Sequence, residues 1–570
     1  MQASPIVKII QRHFNSSSVT TLIASGIPPA LARVLAARGI AQAEQLESTL
    51  GGLIPPEQLT NNRAMAKLLA DAIEQNKSLL VIGDYDADGA TATAVAVRGI
   101  SSMGGRVEFL VPNRFEYGYG LTPEIVALAA TRKPDIIITV DNGIASVEGV
   151  AAANALGIMV LLTDHHLPGD STPEAACILN PNQHGCNFSS KNLAGVGVIF
   201  YAMLALRAEF RARGAFASKP EPNLTELLDL VALGTVADLV KLDDNNRILV
   251  EQGLRRIRAG KASAGVEALF RVAAREPRRA NVQDLGFSVG PRLNAAGRLD
   301  DMSLGIACLL TANAEQAARM AQELNDLNLA RRSIEADMQD TANVVLDDIE
   351  VTDCFSITLY NQEWHQGVIG ILASRIKERY HRPVLVFAQA DHGQLKGSGR
   401  SISSLHLRDA LDLLSKREPD LIIRFGGHAM AAGLSIHEAD FERFQMGFEA
   451  VVRSLLTPAD LQSLMEVDGA LDGSEIDWDL ACAIERQVWG QGFPQPTFYD
   501  QFSVEQQRVV GERHLKLVLG KSGQRFDAIF FQQQEFLPKE IQAVYQLQTN
   551  EYNGKQSVQL CLRYWQDVTE

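Results

Sequence analysis

Three aspartates spaced two residues apart, Asp84, Asp86 and Asp88, stand in the stretch VIGDYDADG, directly after an apolar run. Later segments repeat the pattern of an acid closing an apolar run: Asp141 in IIITVDNG, Asp164-His165-His166 in VLLTDHH, and Asp238 in LGTVAD. Carboxylates held close together raise one another's pKa unless a cation neutralises them. Carboxylate oxygens joined by one or two imidazoles suit Mg2+ or Mn2+, and histidine tilts the preference toward Mn2+. The candidate ligands across these segments are Asp86, Asp88, Asp141, His165 and Asp238. A calcium loop also uses alternating aspartates, but the twelfth position counted from Asp84 is Val95, where such a loop needs glutamate. Any one of these aspartates alone serves equally well as a helix cap or turn residue. Their recurrence at the ends of apolar runs, with adjacent histidines at one of them, does not follow from packing. Two cations ~4 Å apart activate a water and stabilise both oxygens of an in-line displacement. Residue chemistry alone therefore reaches metal-assisted hydrolysis of a phosphate ester or anhydride.

The elements that must position these groups alternate. SLLVIGDYD reads as a buried strand, GATATAVAVRGISSMG as a helix ended by glycines, and RVEFLVP as a strand. TPEIVALAA has a threonine cap with proline at the first helical position. DIIITVDNG is a strand, SVEGVAAANALG a helix and IMVLLTDHH a strand. Strands alternating with helices imply a parallel sheet with crossover helices, and ligand sites on such sheets lie at the carboxyl ends of strands. The three aspartates share one face if the chain stays extended through them.

The expected organisation is α/β. A helical or wrapping N-terminal segment covers 1–77 and a parallel-sheet catalytic domain 78–300. Linker helices cover 301–350, a second α/β domain 351–460, and a β-rich, OB-type domain 465–570. The last assignment rests on short alternating segments such as RFDAIFF and SVQLCLRYW. No apolar run approaches the ~20 residues of a membrane span, and the N-terminus lacks the apolar core of a signal peptide, so the cytoplasm is the expected location. The six cysteines are dispersed and read as reduced thiols. A net charge of −15 argues weakly against nucleic acid, but ten basic residues against three acidic ones lie between Arg255 and Arg298. That run is either a solvated helical surface or a phosphate-facing patch.

The motifs DYDADG, DNG, DHH and GTVADLV, in this order, resemble those of the DHH phosphoesterase superfamily. GSGRS and FGGHAMAAG are similar to its DHH-associated second domain. WHQGVIGILASR, GPRLNAAGR and LNDLNLARRSIE narrow the resemblance to the superfamily's single-stranded-DNA exonucleases. The resemblance covers nearly the whole chain. It implies a two-metal (Mn2+ or Mg2+) hydrolase that degrades single-stranded DNA 5′→3′ to mononucleotides, in recombination and repair. A single-strand-binding protein and a helicase are the implied partners. It implies that Asp141 bridges two cations, that Asp86 completes the first site, and that Asp88, His165 and Asp238 form the second. Asp164 orients imidazole from outside the ligand set, and His166 contacts phosphate. In the second domain, Gly426 and Gly427 permit close backbone approach, His428 donates to the scissile phosphate, and Arg400, in the motif that includes Ser398, holds a neighbouring phosphate. Arg292 and Arg298 bind substrate in a similar way. His365 is expected near the same face or in a structural role. One departure matters: many members carry a histidine four residues before the position of Asp86, where this chain has Ile82. Asp84 is the nearest substitute at the first metal site.

Two other readings stand beside this one. The chain could be a DHH-type phosphoesterase acting on pyrophosphate, short oligonucleotides or cyclic dinucleotides, or a strand-binding protein with a vestigial catalytic fold. The β-rich domain favours long strands, where aromatics such as Phe498, Tyr499, Phe526, Phe530, Phe531 and Tyr552 could stack on bases. The intact acidic and histidine motifs favour catalysis.

Overall fold

The computed structural model describes residues 7–113, 120–347, 353–511, 513–552 and 555–568. The expected boundary at 350–351 and the side chain of Tyr552 lie outside the described residues. The chain divides into two compact units, one of Met1–Ile10 with Leu327–Glu466, the other of Gln11–Asp326 with Val467–Glu570. Among the described residues no helix is long and apolar enough to cross a membrane.

In the larger unit, five strands form a wholly parallel sheet: β1 (Ser78–Gly83), β2 (Arg106–Leu110), β3 (Ile136–Val140), β4 (Met159–Thr163) and β5 (Cys177–Leu179). Their order is β2-β1-β3-β4-β5. The chain thus changes winding direction between β1 and β3, where a crevice opens at the strands' carboxyl ends. Helices α1 (Ala87–Ser102), α2 (Pro123–Ala130), α3 (Val147–Ala155) and α4 (Gly195–Ala212) connect and cover the sheet. Thr122 caps α2, accepting a hydrogen bond from the Ile125 amide, with Pro123 in the first turn. Helix α5 (Leu228–Ala237) is buried along its length, as a helix apolar on all sides must be, and ends at Asp238. Helices α6 (Asp244–Arg258) and α7 (Gly290–Leu299) follow.

Residues Ala314–Asp347 form one continuous helix, α8, of 34 residues. Beyond it the smaller unit holds a second five-stranded sheet: β6 (Ile357–Asn361), β7 (Val384–Gln389), β8 (Gln394–Arg400), β9 (Arg424–Gly427) and β10 (Ala431–His437), in the order β9-β10-β8-β7-β6. Helix α9 (Ile369–Tyr380) links β6 to β7. Only the β6–β7 pair is parallel.

The C-terminal strands β11 (Phe498–Val510), β12 (His514–Lys521), β13 (Gln524–Phe530), β14 (Glu540–Tyr552) and β15 (Lys555–Asp567) close into a barrel in the order β11-β12-β13-β15-β14. The parallel β13–β15 pairing inside an otherwise antiparallel barrel is the OB-type closure. Of the aromatics considered for stacking, Phe498 and Phe526 are core residues, Phe530 is half-buried, and Tyr499 is tied to Gln542 and Gln566. Phe531 is exposed, and so is Phe536, which the sequence reading did not single out.

The segment leading into the barrel is anchored within the larger unit. Asp468 takes two hydrogen bonds from the Arg38 guanidinium, at 2.6 and 2.9 Å, and each side chain is 2% exposed. Asp468→Ala leaves that guanidinium buried without its carboxylate and is expected to cost about 3–5 kcal/mol, the scale for breaking a buried pair. Denaturant unfolding checks this, and a loss below about 1 kcal/mol would contradict the pair's anchoring role.

Five of the ten basic residues in the run have acid partners. Arg255 and Arg258 both meet Glu251, Arg271 meets Glu267, Arg275 meets Asp284, and Arg279 meets Glu551.

Candidate metal centre and the second-unit cluster

The acids after β1 do not continue the strand. β1 ends at Gly83, and Asp86 caps α1, its Oδ1 accepting from the Gly89 amide at 3.0 Å. Asp88 lies in the first helical turn. The expectation of three aspartates on one extended face is therefore corrected: a strand-to-helix turn gathers them instead. Ile82, with Leu80, belongs to an apolar cluster that includes Ile125 and Val150 from the covering helices, and is 1% exposed.

Asp88 is 1% exposed and receives hydrogen bonds from the Gly195 and Val196 amides at 2.6 and 2.9 Å. These are the first amides of α4, where the helix N-terminus favours a carboxylate. Asp141 follows β3 with φ +62°, a left-handed conformation that a short polar side chain tolerates. A Cβ at position 195 would lie 2.5 Å from Asp141 Oδ1, so glycine is required for α4 to come this close.

After β4, Asp164 organises the histidine pair. Its Oδ1 accepts from the His165 amide (2.7 Å), the His166 amide (3.1 Å) and His166 Nδ1 (2.7 Å), while Oδ2 accepts from the Ile144 amide (2.9 Å). Burial opposes a charged His166 ring, but the bond and charge of Asp164 outweigh it and raise its pKa to about 9. Burial likewise opposes the Asp164 carboxylate, and the His166 hydrogen bond prevails and lowers it. His165 Nε2 reaches Asp141 Oδ1 at 3.1 Å and Asp238 Oδ2 at 3.6 Å.

The side chains gather into three overlapping sets whose donor atoms lie within 4.8 Å of one another: Asp84, Asp86 and Asp141; Asp88, His165 and Asp238; and Asp141, His165 and His166. Burial and then mutual repulsion raise Asp88 to about 7 and push Asp141 and Asp238 well above the usual carboxylate range. Such a set of hard oxygens with imidazole nitrogen fits Mg2+ or Mn2+, and a cation removes the cost of keeping it charged.

That cost has a measurable sign. The three aspartates hold protons in the folded state that the unfolded chain gives up near pH 3.8. Metal-free protein therefore loses stability as pH rises from 3.8 to about 7 and beyond. His166 adds to the fall between 6.5 and about 9. The gap in unfolding temperature between Mn2+-loaded and EDTA-treated protein is expected to widen from pH 5 to pH 8. A gap independent of pH would contradict this electrostatic picture.

Several supporting residues escaped the sequence reading. Asn294 on α7 accepts from the Ala87 amide at 2.8 Å and fixes the turn of α1. Asn180 and Asn182 donate to the His166 and His165 carbonyls at 2.9 and 2.6 Å. The NPN triplet after β5 was the available signal. A Cβ at Gly297 would lie 1.8 Å from the Tyr85 carbonyl, so α7 runs against the DYDADG turn and Arg298 follows directly. Arg292 already has protein partners: it donates to the Ser288 and Val272 carbonyls and to Asn325 Oδ1, at 2.6, 3.4 and 3.1 Å. This geometry ties elements of the larger unit together.

The remaining expected residues lie in the smaller unit. Arg400 Nη1 donates to the Gly399 carbonyl at 2.7 Å and to Ser398 Oγ at 3.3 Å. A Cβ at Gly370, in the first turn of α9, would meet Ser398 Oγ at 2.9 Å and Arg400 Nη2 at 3.1 Å. Arg400 pairs across the sheet with Ala431, whose carbonyl accepts from the His428 amide at 2.8 Å. Gly427, at φ +141°, closes this turn where a Cβ would strike the Ala431 carbonyl at 2.4 Å. Gly426 precedes it with no atom near its missing Cβ. Thus Ser398, Arg400, Gly426, Gly427 and His428 share one end of the second sheet. His365 stands in the turn before α9, its Nδ1 accepting from the Gly367 amide at 3.0 Å.

Acidic strand ends with a histidine pair, on a parallel sheet followed by a mixed second sheet, define a DHH phosphoesterase. Residues 78–235 match the DHH family N-terminal domain, 353–454 the DHHA1 domain, and 467–564 the RecJ OB domain. The chain is 49% identical over 557 residues to the single-stranded-DNA-specific exonuclease RecJ of Salmonella typhimurium, covering 95% of this chain and 96% of that one. It is 49% identical to the Escherichia coli protein of the same name over 550 residues, covering 94% and 95%. The crystal structure of Thermus thermophilus RecJ in complex with Mn2+ superposes with a TM-score of 0.84 at 29% identity, over 100% of this chain and 81% of that one. The chain belongs to the RecJ family.

Proposed function

We propose that this chain is a divalent-metal-dependent exonuclease that removes mononucleotides from single-stranded DNA in the 5′→3′ direction, acting in recombination and repair. The observation that carries the reading is the overlap of three donor sets through Asp141 and His165, in a chain 49% identical to relatives named single-stranded-DNA-specific exonucleases. Related structures carry Mn2+ and Mg2+, and the donors here suit either ion.

Asp84, Asp86 and Asp141 would hold one ion, and Asp88, His165 and Asp238 the other, with Asp141 shared. When bound, the ion pair supplies an activated water and charge stabilisation for in-line phosphodiester hydrolysis. The protein's own groups do the rest. The α4 amides fix Asp88, Asp164 fixes both histidine backbones and the His166 ring, and protonated His166 donates to a phosphate oxygen. Arg400 and Ser398 hold a neighbouring phosphate and His428 donates to the scissile one, with Gly426 and Gly427 admitting the strand to the backbone. Arg298 adds a contact from α7, with Arg292 bracing that helix. The barrel grips the unpaired strand, with exposed Phe531 as a stacking surface. A substrate of this kind arises where a helicase opens a duplex and a single-strand-binding protein coats it, so both are proposed partners, in the cytoplasm.

The experiment is an incubation with Mn2+ and end-labelled long single strands, duplexes, dinucleotides and pyrophosphate. Rapid release of mononucleotides from the long single strand alone is expected. Hydrolysis confined to dinucleotides or pyrophosphate would move the chain to the small-substrate phosphoesterases, and binding without cleavage would make it a strand-binding protein.

A further inference from the structure

Two large apolar side chains at the C-terminal end of α5, or on the turn packed against it, are exposed to solvent: Phe287 at 71% and Leu239 at 62%. Neither exposure follows from packing. Phe287 sits in the middle of a π-helical turn, Leu285–Val289, whose Leu285, Ser288 and Val289 are buried. Such turns are rare and recur at functional sites. A Cβ at Gly286 would lie 3.2 Å from Val236 Cγ1, and one at Gly290 would lie 3.2 Å from Ala237 Cβ. The turn carrying Phe287 therefore rests on the last residues of α5. The next residue in the chain is Asp238, which shares a donor set with Asp88 and His165. Leu239 follows at once with φ +62°, a left-handed conformation that a leucine adopts only at a cost in strain. An exposed, strained leucine next to Asp238 and an exposed phenylalanine on the turn packed against the same helix end are placed for contact with what the cluster binds.

We infer that Phe287, with Leu239 beside Asp238, forms the platform on which the base of the nucleotide under cleavage stacks. The inference rests on the nuclease reading and names a base subsite within it. A neutralised carboxylate cluster draws a phosphate. The sugar then places the attached base within one nucleotide's length of that phosphate, where residues flanking Asp238 meet it first. An aromatic face accepts any base, so the platform is indifferent to sequence. It also favours an unpaired end, whose base is free to turn its face to the ring.

The test compares kcat/KM for two single-stranded oligonucleotides, one normal and one carrying an abasic sugar at the terminal nucleotide, with the wild-type chain, Phe287→Ala and Phe287→Trp. Phe287→Ala is expected to lower cleavage of the normal strand about tenfold or more, the scale for losing one base–aromatic stack. Wild type should show the same loss on the abasic strand, Phe287→Ala no further loss there, and Phe287→Trp near wild-type rates on the normal strand. Equal losses on both strands would assign Phe287 a structural or partner-docking role and overturn the inference, as would an undiminished rate on the normal strand. A wild-type chain that cleaves no single strand overturns the nuclease reading and this one with it, and that result is read from wild type alone.

Discussion

Asp141→Asn is expected to abolish strand cleavage, reducing turnover at least ~10³-fold, while the protein stays folded. The carboxylate belongs to the set with Asp84 and Asp86 and lies 3.1 Å from His165 Nε2, a donor of the other proposed site, so its loss is expected to disturb both. Asparagine matches its size and tolerates the left-handed backbone at this position. The Asp141 amide still donates to the Thr163 carbonyl at 3.1 Å, so the end of β3 keeps its place. The variant also removes a buried group whose charged form is opposed by burial and by Asp88, Asp86, Asp238 and Asp84. Metal-free Asp141→Asn is therefore expected to unfold at the same temperature as metal-free wild type or a higher one. Lost activity with retained or increased stability separates a ligand from a structural acid. A well-folded variant keeping a tenth of wild-type turnover would contradict the bridging role.

Substituting His428 or Arg400 by alanine is expected to lower turnover by roughly 10²-fold or more, as when one transition-state donor is lost. Neither belongs to any of the donor sets, and both lie in the smaller compact unit, on the sheet end shared with Ser398 and Gly427. Mn2+ affinity measured by calorimetry should therefore hardly change. A large fall in Mn2+ binding for His428→Ala would move that residue from substrate to metal and overturn the division of labour between the units.

The acids were legible in the sequence because each closes an apolar run, and an apolar run of that length inside an alternating pattern is a buried parallel strand. β1, β3 and β4 end where the acids begin, and Thr122 with Pro123 marked a helix start in local chemistry. What was not legible depended on turns and on distant partners. Asp84, Asp86 and Asp88 looked like one extended face because a period of two is also the signature of a strand. The Gly89 amide that makes Asp86 a cap reveals the turn. Ile82 looked like a vacant ligand position, yet its neighbours are core residues of the covering helices. The pairing within the basic run could not be read because its acid partners include Glu251, before it, and Glu551, far beyond it. The anchoring of the barrel's approach segment depends on Arg38, 430 residues before Asp468.

The anchor also bears on how the barrel is studied. Ending the chain near Val467 removes Asp468 along with the barrel, so a truncation there mixes loss of strand binding with loss of stability. Substitution of exposed Phe531 probes the grip without that confusion.

These side chains are expected to hold two ions with Asp141 between them. The most direct measurement is an anomalous difference map, collected at the manganese edge, from crystals of this protein grown with Mn2+. Two peaks ~4 Å apart are expected, one against Asp84 and Asp86, the other against Asp88, His165 and Asp238, with Asp141 touching both. A single peak, or two peaks not joined by Asp141, would contradict it.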